Sequence, residues 1–501
     1  MSNFLDISKW KLSVLSGILI GLSYPPSPLG ILAWFGLIPL IHILLNTSIV
    51  NSMKWSFITG IIVNVITVYW FGLNSGAGLA PAIVSMIAAI LYLSIFWMLL
   101  GFLSSWHHKM TGYGLSLIPL LWVSIEYLRS FGPLSFPWIN LALTQTFSLS
   151  LIQIADVTGS MGISFWIVVL NVIIYIAINS KGAEKNILFI GALLLLVIFL
   201  LGFFRISSIQ NRYTENEVRV AIVQPNIDPN LKWEQNFRDR IFNTMDSLHN
   251  VAIKLDPDFI LWPEAALPTY LRINYSNRRS ILQKVKKSNI PLLTGTPDRI
   301  KGRDNQIDYY NAAMFIKPDG STKMYYKMHL VPFAESIPFS NYFSSLKKLN
   351  FGQANFTAGS EYTIFNVDNF AFANLICYES SIPKIARKFV NLGAQFITIE
   401  TNDSWCGHSS GVYQHFQIAK MRAVENRIPI ARSANTGVSA LILPTGKVNK
   451  KIPFNKQEVF LASIPIKNIP SFYTKYGDWF ALICTLISVI TLFFGWFQKR
   501  S

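Results

Sequence analysis

Ala371-Phe372-Ala373-Asn374-Leu375-Ile376-Cys377 is a short apolar run closed by a thiol and followed by Tyr378-Glu379-Ser380. It is too short for an ordinary helix and reads as a buried strand whose end carries a nucleophile. Four more runs read the same way: Val218-Arg219-Val220-Ala221-Ile222-Val223, Phe259-Ile260-Leu261-Trp262, Pro291-Leu292-Leu293-Thr294 and Phe396-Ile397-Thr398-Ile399-Glu400. Polar stretches of helical character separate them. Strands alternating with helices predict a layered α/β domain, and such folds place their chemistry at strand ends.

On either side of this region the composition changes. The chain has 501 residues, 51% apolar and only 14% charged, against roughly 25% charged in an ordinary soluble domain. Residues 1–206 and 476–501 hold 15 of the 69 Asp, Glu, Lys and Arg residues, and 207–475 holds the other 54. The flanks are therefore suited to lipid and the middle to water, which excludes disorder and fibrous repeats. Three parts are expected: a transmembrane domain over 1–206, a catalytic domain over 207–475 and a C-terminal transmembrane helix within 476–501.

A span needs about 20 mostly apolar residues. Candidates lie near 12–29, 31–48, 55–74, 80–103, 114–131, 162–180, 186–204 and 478–497, about eight in all, seven of them before the middle domain. The apolar segment 132–155 is broken by Pro133 and Pro137 and reads as re-entrant or interfacial. Lys9, Lys11, Lys54, Lys109, Lys181, Lys185, Lys499 and Arg500 fall on one side of this topology, against Arg129 and Arg205 on the other. The basic side is cytoplasmic, so both termini are expected inside and the middle domain on the outer, periplasmic face of a bacterial inner membrane.

The net charge of +17 reads as cytoplasmic anchoring plus a basic face toward anionic lipid rather than nucleic-acid binding, for which no signature is present. Three cysteines, Cys377, Cys406 and Cys484, make no disulfide framework, and none has metal-ligand spacing. No metal or other cofactor is expected.

Three strand ends carry ionisable residues: Trp262-Pro263-Glu264, Tyr326-Lys327-Met328-His329-Leu330-Val331-Pro332-Phe333-Ala334-Glu335, and Cys377-Tyr378-Glu379. Glutamate, lysine and cysteine make an acyl-transfer set. A thiolate attacks a carbonyl readily and leaves well in a second step. A buried glutamate takes and returns its proton. A lysine with backbone N–H groups meets the developing oxyanion, at roughly 3–4 kcal/mol per donor. Each residue alone has a plainer reading: a core cysteine, a helix-start carboxylate, a solvated lysine.

With these runs, and with Asn402-Asp403-Ser404-Trp405 and Arg432-Ser433-Ala434-Asn435-Thr436-Gly437, the chain resembles the nitrilase superfamily over nearly all of 217–465. Within it the chain is similar to the membrane-embedded apolipoprotein N-acyltransferase family. The resemblance implies an α-β-β-α sandwich, beside a helical membrane domain, with Cys377 as acylated nucleophile, Glu264 as general base and Lys327 as oxyanion stabiliser. Glu335 matches a second required glutamate, able to hold Lys327 charged; otherwise it is a surface ion pair of little worth. Tyr378 offers a backbone N–H to the oxyanion and Glu379 a supporting carboxylate. Trp233 and Trp405 match aromatics near the pocket, or are packing residues. Asn311 and Asn402 are structural amides near the site, and Trp138 matches a position at the outer membrane face, where tryptophan is also a common anchor. His329 reads as structural. Two departures stand out: Ala334 where the family has glycine, and Cys406 where it has an aromatic.

A domain tethered at both ends is held at the lipid headgroups. The implied donor is a phospholipid and the acceptor the α-amino group of diacylglyceryl-cysteine on an apolipoprotein, with lipid as the only other partner and a monomer as the expected state. Segment 339–351, with Phe339, Phe343, Leu346 and Leu349 beside Lys347 and Lys348, reads either as an interfacial lid or as an ordinary surface helix. The competing function is a membrane-anchored amidase hydrolysing a small amide.

Overall fold

A computed structural model of the chain describes residues 7–74, 76, 78–179, 185–211, 216–232, 234–302, 305–339, 355–466 and 468–498. It divides into two compact units: Met1–Gly72, Ile83–Ser208 and Lys475–Ser501 form one, Leu73–Ala82 and Ile209–Thr474 the other.

The first unit is helical. Among the described residues, five helices are long and apolar enough to cross a membrane: Ile49–Leu73, Leu79–Thr111, Ser160–Asn179, Asn186–Gln210 and Trp479–Phe497. The remaining three expected segments are shorter. Lys9–Leu22 stops before Tyr24-Pro25-Pro26, a 3-10 turn over Gly30–Trp34 precedes Ile38–Asn46, and Gly114–Leu128 carries Pro119 inside it. Segment 132–155 is a chain of short turns, largely buried. Irregular backbone in apolar surroundings must find partners, and side chains supply them. The Leu141 N–H donates to Glu126 (2.7 Å), Ala142 N–H to Ser164 (3.1 Å), Arg129 to the Ile139 carbonyl (3.1 Å) and Gln145 to the Gly30 carbonyl (2.9 Å).

The second unit holds two six-stranded sheets. The strands are β1 Glu217–Gln224, β2 Phe259–Leu261, β3 Leu292–Lys301, β4 Ile307–Ile316, β5 Thr322–Tyr326, β6 Phe365–Val367, β7 Phe370–Ile376, β8 Phe396–Thr401, β9 Ile430–Ala434, β10 Ser439–Ile442, β11 Val448–Ile452 and β12 Glu458–Pro465. Their orders are β12-β1-β2-β3-β4-β5 and β11-β10-β9-β8-β7-β6. Each sheet has a parallel trio, β1-β2-β3 or β7-β8-β9, with antiparallel strands outside it. Parallel neighbours need crossovers, and helices Arg238–Ile253, Tyr275–Ser288, Pro383–Asn391 and Ser410–Asn426 provide them.

Period-two alternation decides which side of each strand meets which layer. Ala221, Val223, Ile260 and Leu292 pack under Ile241, Met245, Leu248, Ile281 and Val285 of the first two crossover helices. Phe259 points the other way and stacks on Phe372 (5.1 Å) and Phe396 (6.0 Å) of the second sheet. The inner faces are thus aromatic and dry, and helices cover the outside. The five strand runs read from the sequence are β1, β2, β3, β7 and β8. Of 339–351, residues from 340 onward lie outside the described residues, as does Trp233.

Candidate active site

Three chain reversals bring the ionisable groups together. After β2 the chain turns through Pro263-Glu264 to Ala265, which has φ +46°. A side chain at Gly295 of β3 would meet the Glu264 Cα at 2.6 Å, so only glycine lets this turn lie against β3. After β5 comes Lys327, whose N–H donates to the Asn311 carbonyl (2.9 Å) and whose carbonyl accepts from the Gly359 N–H (2.8 Å). After β7 comes Cys377, at φ +52° and opening a 3-10 turn over Cys377–Ser381. A left-handed cysteine costs about 1–2 kcal/mol, and such a sharp strand-to-turn reversal sets its side chain off the end of the sheet.

Lys327 is 1% exposed. Its Nζ lies 2.8 Å from the Glu335 carboxylate and 3.9 Å from Glu264 Oε1. Asn311 ties the two acids together, donating through Nδ2 to Glu264 Oε1 (2.7 Å) and Glu335 Oε1 (3.0 Å). The Asn402 backbone N–H donates to Glu264 Oε2 (2.8 Å), and Val331 N–H to Glu335 Oε2 (2.8 Å). Glu335 is therefore buried rather than a surface partner. In its turn the left-handed residue is Phe333, at φ +64°, so the methyl of Ala334 adds no backbone strain. The Asn402 side chain faces elsewhere, accepting from Ser404 and from Asn435.

Glu379 is a strap between the strand ends. Its Oε1 accepts from the Tyr325 hydroxyl (2.8 Å) and the N–H groups of Met328 (2.7 Å) and His329 (3.2 Å), and its Oε2 from Ile376 N–H (2.9 Å). One carboxylate so pins the Lys327 loop of the first sheet to the Cys377 turn of the second. Burial pushes its carboxyl up, against the pull of those donors.

The field at the thiol follows from these placements. Burial, with Glu264 beside it, pushes Cys377 well above the usual thiol range, and Lys327 opposes them. Burial works against the charge on Lys327, but Glu335 and Glu264 outweigh it and hold the ammonium protonated far into alkali. At rest the site contains a thiol and a fixed cation.

Tyr378 is buried, Trp405 is half-buried, and His329 contributes its backbone to Glu379. Trp138 belongs to the helical unit, where it is 5% exposed and packs on Trp70 (5.4 Å).

Groups that the motifs did not single out also gather here. Glu400, at the end of β8, is fully buried, and burial together with Glu264 pushes its carboxyl well above the carboxylate range. Behind Cys377, the donor atoms of Cys377, Asp403 and His415 lie within 4.8 Å of one another, the residue types that hold zinc. Both Asp403 oxygens are already committed, Oδ1 to Thr401 (2.9 Å) and His415 (2.7 Å), Oδ2 to Arg432 (2.6 Å). This donor set is a hydrogen-bonded network and does not fit a metal cradle. The clue in the sequence was helix Ser410–Asn426, which buries Gln414, His415, Gln417, Lys420, Arg422 and Glu425; polar residues all round a helix need internal partners.

Two opposed sheets with acid, lysine and thiol at their strand ends define a carbon–nitrogen hydrolase of the nitrilase superfamily, and that family's profile matches residues 219–473. A solved Nesterenkonia amidase of the superfamily covers 53% of this chain and 95% of its own, at 16% identity and TM-score 0.39. The profile for the apolipoprotein N-acyltransferase N-terminal domain matches residues 16–173. Apolipoprotein N-acyltransferase of Chlorobaculum tepidum is 31% identical to this chain, with 98% of this chain and 97% of the relative covered. That of Geobacter metallireducens is 32% identical, with 95% and 93% covered. The chain belongs to the apolipoprotein N-acyltransferase family, and is a membrane enzyme that acylates lipoproteins.

Proposed function

We propose that the enzyme works by two half-reactions through a Cys377 thioester. Glu264 takes the thiol proton, and Cys377 Sγ attacks the fatty ester of a phospholipid. The tetrahedral oxyanion is met by Lys327 and the Tyr378 N–H. Collapse breaks the ester, and Glu264 returns the proton to the departing lysophospholipid oxygen. In the second half-reaction Glu264 takes a proton from the α-ammonium of diacylglyceryl-cysteine. The amine attacks the thioester carbonyl, the C–S bond breaks as the nitrogen gives up a second proton to the departing Cys377 sulfur, the amide forms, and Glu264 releases its proton to water. Acyl chains filling the pocket exclude water, so that amide formation outruns hydrolysis.

Glu335 and Asn311 keep Lys327 and Glu264 in register, Glu379 fixes the two loops, and Trp405 lines the pocket. The proposed setting is the inner membrane with eight spans, the three shorter apolar segments completing the set, and Trp138 near the outer face. The parts are 1–206, 207–475 and 476–501, with the catalytic part periplasmic, both termini cytoplasmic and the chain a monomer.

The observation that carries this reading is the meeting of Glu264, Glu335-paired Lys327 and a left-handed Cys377 at three strand ends. Mass spectrometry of the protein in phospholipid tests it. The expected result is a hydroxylamine-sensitive acyl group on Cys377, absent from Cys377→Ala. No adduct, with ammonia released from small amides instead, would overturn it in favour of an amidase.

A further inference from the structure

One buried cation beside the general base has no part in the proposed half-reactions. Lys232, 2% exposed, lies in the loop that leads from β1 toward helix Arg238–Ile253. Asn435 buckles that loop to the catalytic turns. Its carbonyl accepts from the Asn226 N–H (2.8 Å) and its Oδ1 from the Ile227 N–H (3.1 Å), while its Nδ2 donates to the Ile227 carbonyl (2.7 Å) and to Asn402 Oδ1 (3.0 Å). Asn402 is the residue whose backbone N–H holds Glu264. The loop is thereby fixed to the Glu264 side of the site.

There the ammonium is left without a bond. Glu264 acts on it through its charge, but both Glu264 oxygens are already engaged, Oε1 by Asn311 and Oε2 by the Asn402 N–H. Among the described residues Lys232 makes no hydrogen bond or ion pair. Burial lowers its pKa to about 8, with Glu264 opposing. A buried cation without a partner is costly, so one kept beside the general base points to a counter-ion that arrives with a ligand. The other buried ammonium of the site, Lys327, is by contrast paired with Glu335 at 2.8 Å.

The chemistry of the two substrates decides which anion this is. The acceptor brings an ammonium, which Lys232 repels. The donor brings a phosphate diester, and lysine binds phosphate as a point charge. Connectivity agrees: the leaving glycerol oxygen takes its proton from Glu264, and the phosphorus lies only a few covalent bonds further along the same glycerol. A cation close to Glu264 but not bonded to it stands where that phosphate falls.

We propose that Lys232 is the anion site for the donor, its ammonium taking the phosphate diester of the phospholipid whose ester Cys377 attacks. The inference rests on the acyl-transfer reading, whose own failure has a separate signature below.

The test uses the full chain in mixed micelles with two donors that share the glycerol ester and differ in the phosphate, phosphatidylglycerol and diacylglycerol. The quantity read is the apparent second-order rate of acyl-thioester formation on Cys377, and the ratio of the two rates measures what the phosphate contributes. In Lys232→Met, which keeps the apolar stem and removes the charge, that ratio should fall about tenfold to a hundredfold. Lys232→Arg, which restores a cation, should retain most of it. Phosphatidylethanolamine in place of phosphatidylglycerol should show the same fall, because the phosphate is common to both. A ratio within about threefold of wild type in Lys232→Met overturns the proposal: equal slowing of both donors would assign Lys232 to Glu264 or to the fold, and no slowing would leave it without a part in acylation. A fall confined to one headgroup overturns it in favour of a headgroup contact. A wild-type chain that is alkylated at Cys377 by iodoacetamide yet gains no acyl group from any of these donors overturns the acyl-transfer reading itself, and the phosphate site with it.

Discussion

The helical unit and the catalytic unit bury polar groups by different rules. Between helices the buried groups are mostly neutral and small: Ser13 meets Thr59 (3.0 Å), Ser16 the Gly36 carbonyl (2.6 Å), Asn64 Ser94 (3.1 Å), and Asn171 the Ala33 carbonyl (2.8 Å). Of the charged exceptions, Glu126 and Arg129 serve the irregular segment, and Asp156 pairs with Arg205 (2.6 Å). The catalytic unit instead buries Glu264, Lys327, Glu335, Glu379, Asp403 and Arg432. A hydroxyl needs one partner and loses little without it. A buried charge is tolerable only while its partners stand, and that dependence is the fixed field on which the chemistry draws. If this contrast is right, the cost of removing a group tracks the charge it leaves behind.

The sharpest break is Glu335→Gln. It strips Lys327 of its 2.8 Å partner and leaves Glu264 at 3.9 Å as its remaining counter-charge. Breaking a buried pair this way costs about 3–5 kcal/mol. Denaturation of the full chain in detergent micelles should register that loss together with slowed acylation. A cost below about 1 kcal/mol, the range of an exposed pair, would mean that the cluster is solvated in solution and would erase the contrast.

Next in size is a pH effect. His249 is buried edge-on against Trp262 (5.5 Å), two residues before Glu264. Burial, with Lys284 nearby, lowers its pKa to about 4, from about 6.5 in the unfolded chain. Above pH 6.5 both states hold it neutral. As pH falls below that, the unfolded chain takes up a proton that the folded chain refuses until about pH 4. Stability should therefore decline by about 1.4 kcal/mol per pH unit through this window, approaching about 3 kcal/mol in all. His249→Phe, which keeps the ring contact and cannot titrate, should flatten that part of the profile. An unchanged slope would assign the acid sensitivity to other groups.

How much of this was legible beforehand follows from how local each signal is. The strands and the three strand-end motifs could be read because alternation and flanking residues lie within a few positions of one another. Span lengths could not: Tyr24-Pro25-Pro26 and Pro119 sit inside apolar runs, and hydropathy does not register where a helix stops. Asn402 was placed near the site, but its contribution to Glu264 is a backbone N–H, which any residue could supply. The packing of Trp138 on Trp70 could not be read, because the two lie 68 positions apart in the chain. His415 escaped notice because its partners Ser380, Asp403 and Arg432 come from three other segments, brought to one point only by the parallel pairing of β7, β8 and β9.

The smallest expected effect tests the other half of the contrast. Ser13, Gly17 and Gly21 line one face of helix Lys9–Leu22 at four-residue spacing, toward helix Ile49–Val68. A side chain at Gly17 would meet Ile62 at 2.7 Å, so the backbones already approach as closely as small residues allow. Ser13 Oγ donates to the Trp55 carbonyl (2.9 Å), and Thr59 Oγ1 has the carbonyls of Trp55 (3.0 Å) and Ser13 (3.2 Å) within reach. Ser13→Ala removes one hydroxyl but leaves Thr59 its backbone acceptors and the glycine contacts untouched. Because nothing is stranded, the loss should be about 0.6 kcal/mol, the usual worth of such a bond between membrane helices. Equilibrium unfolding in mixed micelles resolves that from zero. A loss of several kcal/mol, comparable with Glu335→Gln, would show that a neutral hydroxyl here carries as much as a buried charge, and the proposed difference between the two units would not stand.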